Sequence, residues 1–354
     1  MSGERRDAST WATELGVSRE AAEIVIASDV IDLHVDTFIW TRIFGYSIAR
    51  RHGTGPFGAR FLGQADLPRL VEGGVTGATW VVTTNPFRTA RGRERAFFAN
   101  LERITADLAA SGMAAIARNV AEYRDARSRG IHAAFVGVQG ANALDHDLSA
   151  WERIPGGLVS RATLVHLTSS SLGGTSSPLR LGRRDAGLTP RGHELVERLD
   201  ALRIFVDLAH VSRRGFRDAV LVHDRSLPLV VTHTGVTGAH DHWRNLDDDQ
   251  IRAIAGSGGT IGIMYQTSFL GGGLLSGGAE LVVRHLEHVI RVAGEDHASL
   301  GSDWDGMIVT PRDMPTCLEL PRLVDLLLQR GHSAERIGKI LGGNYLRALT
   351  ALRG

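Results

Sequence analysis

Seven residues stand where short apolar runs of this chain end: His34, Asp36, His166, His210, His233, Asp303 and the uncharged amide Gln139. "HVD" sets His34 and Asp36 two apart, which in an extended segment puts both side chains on one face. One histidine in an apolar run is more often a core residue with satisfied hydrogen bonds, so no position speaks alone. Four imidazoles and two carboxylates gathered on one rim are different, because burying them is costly unless a cation or mutual pairing compensates. A bound metal is the economical explanation. The lone cysteine, Cys317, excludes an intrachain disulfide and thiolate-rich sites. Imidazole and carboxylate ligands suit Zn, with Mn, Fe, Co or Ni also compatible.

Other polar clusters carry less chemistry. His240 and His242 in "GAHDHWRN" fall in what reads as an exposed loop. His285 and His288 in "HLEH" lack the HExxH spacing and read as a solvated helix face. No GxGxxG, Walker loop or GxSxG elbow occurs, so serine catalysis has little support.

The elements that must position the rim are legible as eight short β-branched runs, at 30–36, 77–83, 132–139, 161–168, 203–211, 228–234, 259–266 and 298–305. Patterns of helical period separate most of them, and Thr189–Pro190 reads as an N-cap followed by proline at the first helical position. Continuously apolar strands alternating with helices predict an α/β fold of the (β/α)8, TIM-like barrel class. One domain is expected, with an N-terminal helical extension over about 1–29 and closing helices over about 317–354. The Gly- and Ser-rich stretches 168–178 and 270–278 follow strand ends and read as mobile covers of a site.

Length and charge agree with a small-molecule enzyme. The 354 residues, 43% hydrophobic, suffice for one large barrel. Forty basic residues against 39 acidic give +1, which points to neither nucleic acid nor a membrane surface as partner. With no long apolar segment, the chain reads as soluble and cytoplasmic.

Over almost its whole length the sequence resembles the membrane (renal) dipeptidase family, the M19 metallopeptidases. The motifs are "IDLHVDT", "GLTPRGHELVERLDALRIFVDLAHVS", "LPLVVTHTGV", "WRNLDDDQIRAIA", "LGSDWDG" and "GGNYLRAL", in this order. The resemblance implies a distorted (β/α)8 barrel of the metal-dependent hydrolase type that cleaves dipeptides with metal-activated water, and a homodimer. It implies two zinc ions, one on His34, Asp36 and Asp303 and the other on His210 and His233. It further implies Asp303 as proton carrier, His166 beside the substrate carbonyl and Arg244 on the substrate carboxylate. A surface ion pair with Asp247–Asp249 is the alternative for Arg244. Where the family pattern has a bridging glutamate in "GVEGGH", this chain has "GVQGAN", so Gln139 takes the bridge and Asn142 replaces a histidine. An amide offers one neutral oxygen where a carboxylate offers a charge and two. One metal or a weakened pair is therefore expected, and three outcomes stay open: a dipeptidase-like hydrolase, a non-hydrolytic member that binds or remodels an amino-acid-containing metabolite, or a plain binding protein whose metal is only structural.

Overall fold

The computed structural model describes residues 6–55, 57–178, 186–273 and 275–354. Its strands are β1 (Ile31–Val35), β2 (Gly77–Thr83), β3 (Ala114–Ile116), β4 (His132–Gln139), β5 (Val159–Thr163), β6 (Phe205–Asp207), β7 (Val230–Thr234), β8 (Thr260–Ile263) and β9 (Ala298–Leu300). Every pairing is parallel, in the order β1-β2-β4-β5-β6-β7-β8-β9, with β3 a short extra strand beside β4. β1, β2, β4, β5 and β7 are buried along their whole length, as strands covered on both faces must be.

The ring closes between β1 and the segment after β9 through a thin seam. Val35 bridges Trp304, the Asp36 N–H donates to the Trp304 carbonyl at 2.8 Å, and the Asp303 N–H donates to the His34 carbonyl at 3.2 Å. The result is a nearly closed (β/α)8 barrel. It is distorted after β4, where two 3-10 turns, Ala141–Leu144 and Leu148–Arg153, stand in place of a helix.

Helices Ala90–Ala110, Pro190–Ala201, Asp248–Gly256 and Glu280–Ala293 form where the apolar period predicts them. The Thr189 side chain accepts from the Gly192 N–H, satisfying one orphan donor of the first turn. Helices Ala8–Leu15 and Arg19–Ala27 precede the barrel, while residues 1–5 of the expected extension lie outside the described residues. Of the C-terminal elements, helix Asn344–Arg353 buries Tyr345, Leu346, Leu349 and Leu352 with Ile31, Phe135 and Phe205 from the strands.

Four strands end earlier than the apolar runs suggest. β5, β6, β8 and β9 stop at Thr163, Asp207, Ile263 and Leu300, so His166, His210 and Asp303 lie in the turns beyond. His210 and Asp303 both adopt φ 65, a left-handed conformation that a β-ladder cannot contain. Leaving the ladder frees each side chain from strict alternation and turns it toward the mouth.

Two expectations need correction. His285 and His288 are buried: His285 Nδ1 accepts from the Val236 N–H at 2.9 Å and His288 Nε2 meets Asp248 Oδ1 at 2.7 Å. Their helix turns that face inward because Leu281, Val282, Leu286 and Val289 share it. Within 168–178, residues 172–175 are buried and pinned, with Thr175 Oγ1 donating to the His166 and His210 carbonyls at 2.5 and 3.1 Å, so that stretch is a packed strap. The second glycine-rich stretch includes residue 274, which lies outside the described residues. His240 and His242 are half-buried, and His242 stacks on Phe269 at 4.3 Å between ring centroids.

Candidate metal centre and substrate cavity

Strand ends and the turns after them bring the rim residues together. Asp36, Gln139, His166, His210, Arg244 and Asp303 line one cavity of about 260 Å³, with His34 and His233 fully buried beside them. His34 Nε2 lies 3.4 Å from Asp36 Oδ2 and 3.6 Å from Asp303 Oδ1. The His34 and His233 ring centroids are 3.7 Å apart, and His210 Nε2 lies 2.8 Å from His233 Nε2. Ligand atoms of His34, His233 and Asp303 all fall within 4.8 Å of one another. This trio crosses the division into two ligand sets that the resemblance implies.

Burial decides the charges. It pushes His210 and His233 well below the usual imidazole range and His166 down to about 4, and it lowers His34 with help from the Arg161 guanidinium. These rings are therefore neutral near pH 7, the form in which imidazole ligates metals. Burial and the neighbouring Asp36 carboxylate raise Asp303 well above the carboxylate range, against the pull of Arg244. Burial is the largest influence on Asp36 and works to raise it, but His34, His166 and the Arg161 guanidinium together hold that carboxyl below its ordinary value.

Gln139 sits among these groups. With its amide turned to satisfy its neighbours, the NH2 donates to Asp36 Oδ1 and Oδ2 at 3.2 and 3.3 Å and the oxygen accepts from His166 Nε2 at 3.2 Å. It thus links the carboxylate side of the cavity to the imidazole side by hydrogen bonds. Gly140, with φ 87, makes the turn after it, while Gly137 lies within β4 and leaves room for Arg161, since a Cβ there would lie 2.8 Å from Arg161 Nε.

Arg161 is the residue that sequence reasoning missed. Its Nη2 donates to His34 Nδ1 at 2.6 Å, and its Nη1 donates to Asp207 Oδ2 at 2.9 Å and Thr163 Oγ1 at 2.7 Å, all buried. A guanidinium only donates, so His34 Nδ1 accepts and the neutral ring keeps its proton on Nε2, facing Asp36 and Asp303. The oxygen Asp207 Oδ2 also accepts from Thr232 Oγ1 at 2.7 Å, and Thr232 Oγ1 lies 3.0 Å from His233 Nδ1. One buried ion pair therefore holds both imidazoles from below. In sequence, "VSRATLV" offers a lone arginine with no sign of its partner.

Arg244 is buried and does not pair with Asp247–Asp249. Its Nη2 donates to the His233 carbonyl at 2.6 Å and its Nε has no hydrogen-bond partner among the described residues. Burial lowers it to about 10, so it remains a cation, and it lines the same cavity as Asp303. The remaining wall is mostly apolar, with Ile39, Leu167, Trp243, Met264, Phe269 and Ile308, and Gln266 adds one neutral polar side chain.

A parallel eight-stranded barrel with histidines and carboxylates at the C-terminal ends of its strands defines a metal-dependent hydrolase fold. The chain belongs to the membrane dipeptidase family, peptidase family M19, whose model matches residues 18–353. It is 37% identical over 166 residues to an uncharacterized protein in the pqqA 5' region of Klebsiella pneumoniae, an alignment covering 46% of this chain and 60% of that protein. The chain thus spans less than two thirds of that relative's length. Among solved structures it resembles dipeptidase AC, a metallopeptidase of family M19, at 28% identity and TM-score 0.80, covering 91% of this chain and 98% of that one. A metallopeptidase from Rhodobacter sphaeroides, solved with a phosphinate mimic of the dipeptide L-Ala-D-Ala, is similar at 26% identity and TM-score 0.79 over the same shares. No helix among the described residues is long and apolar enough to cross a membrane.

Proposed function

We propose that the chain is a metal-dependent, dipeptidase-like hydrolase that cleaves the amide bond of a dipeptide or related small amino-acid conjugate, working with one zinc ion. The observation that carries this reading is that Asp303, a member of the metal-competent trio, and Arg244, a buried cation with unused donors, line the same cavity. The dipeptide mimic held by the Rhodobacter relative supports the same substrate class.

The donor set fits one ion: His34, His233 and Asp303 would hold it, with Asp36 and His210 adjacent and all of them buried, once the His34 ring carries its proton on Nδ1 and gives up the Arg161 contact so that Nε2 is free to ligate. When bound, the metal supplies Lewis-acid charge at the base of the cavity. A second ion would lack its bridging carboxylate, since Gln139 gives no charge to offset the repulsion of paired dications.

The chain's own groups divide the work. Arg244 clamps the substrate carboxylate with paired N–H donors and so fixes the amide relative to Asp303. In its ionised form, which Arg244 favours against burial, the Asp303 carboxylate takes the proton of the attacking water and hands it to the leaving amine. His166 Nε2, held as a donor by the Gln139 oxygen, is placed to turn its N–H onto the developing oxyanion. The apolar wall excludes water and receives a side chain.

Purified protein supplied with Zn or Mn and assayed on L,L and L,D dipeptides should turn over at least one class, with Asp303→Asn reducing kcat by about 100-fold or more. Absence of turnover with every metal would defeat the reading. It would favour the second one, a family member that binds or remodels an amino-acid-containing metabolite, which Gln139 and the Arg161 contact to His34 motivate. A homodimer and a cytoplasmic location complete the proposal; light scattering should give twice the 38.2 kDa chain mass, and cell fractionation tests the location.

A further inference from the structure

A second cavity, of about 520 Å³, opens beside β2. Three guanidinium groups line it, from separate elements: Arg42 of helix Phe38–Phe44, Arg88 of the turn after β2, and Arg103 of helix Ala90–Ala110. Thr84, Asn85 and Asn100 add neutral hydrogen-bonding groups, and no carboxylate lines it.

The balance of charge is what marks this place. Arg42 is half-buried; its Nη2 is spent on Thr83 Oγ1 at 2.5 Å, and its Nε is buried with no hydrogen-bond partner among the described residues. Arg88 is exposed, and its side chain has no ion-pair or hydrogen-bond partner among the described residues. Arg103 makes a loose contact with Asp107 at 3.7 Å, both side chains being exposed, and donates to the Thr41 carbonyl at 3.3 Å. Burial lowers Arg42, Asp36 opposes this from the side of the metal centre, and Arg88 and Arg103 lower it further by repulsion. Several surface arginines of this chain, such as Arg19, Arg198 and Arg252, have a carboxylate at 3.2 Å or less within one turn of their own helix. Three cations converging on one hollow, offset only by the loose Asp107 contact and the more distant Asp36, repel unless an anion enters, and forked donors match planar or tetrahedral oxyanions.

We propose that this cavity is an accessory binding site for a small molecule bearing an oxyanion, a phosphoryl or carboxylate group, held between Arg42, Arg88 and Arg103. The site lies on the same end of the barrel as the metal centre: Thr83, which receives the Arg42 bond, pairs in register with Gln139. It is distinct from Arg244 and the metal-competent residues, and it does not depend on which reaction they perform.

The test is calorimetric titration of the metal-loaded protein with pyrophosphate and, separately, succinate. Each guanidinium removed in Arg88→Gln and Arg103→Gln should weaken binding by about tenfold, the scale of one charge-assisted hydrogen bond. Both positions are exposed, so circular dichroism and thermal midpoints should match the parent. An Arg244→Met variant separates the two cavities: anion binding that survives it but falls in the other two variants supports the proposal. Binding lost only in Arg244→Met, binding indifferent to Arg88 and Arg103, or no saturable binding would overturn it. Phosphatidylserine vesicles form a further arm; sedimentation with vesicles, without affinity for the free anions, would assign the arginines to a lipid surface and overturn the small-molecule site.

Discussion

At the scale of single residues, the neutral amide at position 139 decides how many cations the centre can hold. Gln139→Glu restores a charge and a second acceptor oxygen between Asp36 and His166. Elemental analysis of the parent should give about one metal per chain and of this variant about two; equal stoichiometry would defeat the idea. His210 allows a different test, because its φ of 65 costs an L-residue energy that glycine does not incur. In metal-free protein, His210→Gly should be more stable than His210→Ala by about 1 kcal/mol, read from urea midpoints. Residues such as His34, His210 and Asp303 were legible because each follows an apolar run. Arg161 was not, because the groups that explain it, Asp207 and His34, are remote in sequence and meet it only in the closed ring.

At the scale of elements, period and caps were sufficient to place the barrel's strands and most of its helices, and insufficient to place their ends. The apolar runs at 203–211 and 298–305 continue past the ladders because the turns beyond are as buried as the strands. Hydrophobicity reports burial, and it does not report where alternation stops. The "HLEH" helix shows the opposite case: its inward face was readable from the spacing of Leu281, Val282, Leu286 and Val289, which encloses both histidines. Helix Pro190–Ala201 begins where Thr189 and Pro190 indicate, and the cap itself is testable. Thr189→Ala removes the acceptor for the Gly192 N–H and also the bond from Thr189 Oγ1 to the Ser171 carbonyl at 2.6 Å. A loss of about 1–2 kcal/mol in stability is expected, measured by chemical denaturation.

At the scale of the molecule, buried neutral histidines set the response to acid. Burial lowers His132 and His285 to about 4 from an unfolded value of 6.5, so between these limits the unfolded chain binds more protons. Stability must then rise with pH across that window and fall on acidification from 6.5 to 4, by roughly 3 kcal/mol per histidine at most. Asp32, raised to about 6 by burial, acts in the opposite sense, as do the raised Asp303 and Asp305, while His34, His166, His210 and His233, also lowered by burial, add to the two histidines. A thermal midpoint unchanged between pH 6.5 and 4 would contradict this balance. The seam between β1 and the segment after β9 has a different meaning at this scale. His34 and Asp36 stand on one side of that join and Asp303 on the other, so a cation held among them would act as a clasp on a hoop, joining its first stave to its last. Chelator treatment should therefore accelerate amide hydrogen exchange at Asp36 and Asp303 while leaving the β2–β4 ladder nearly untouched, and the catalytic ion would double as the fastener of the ring.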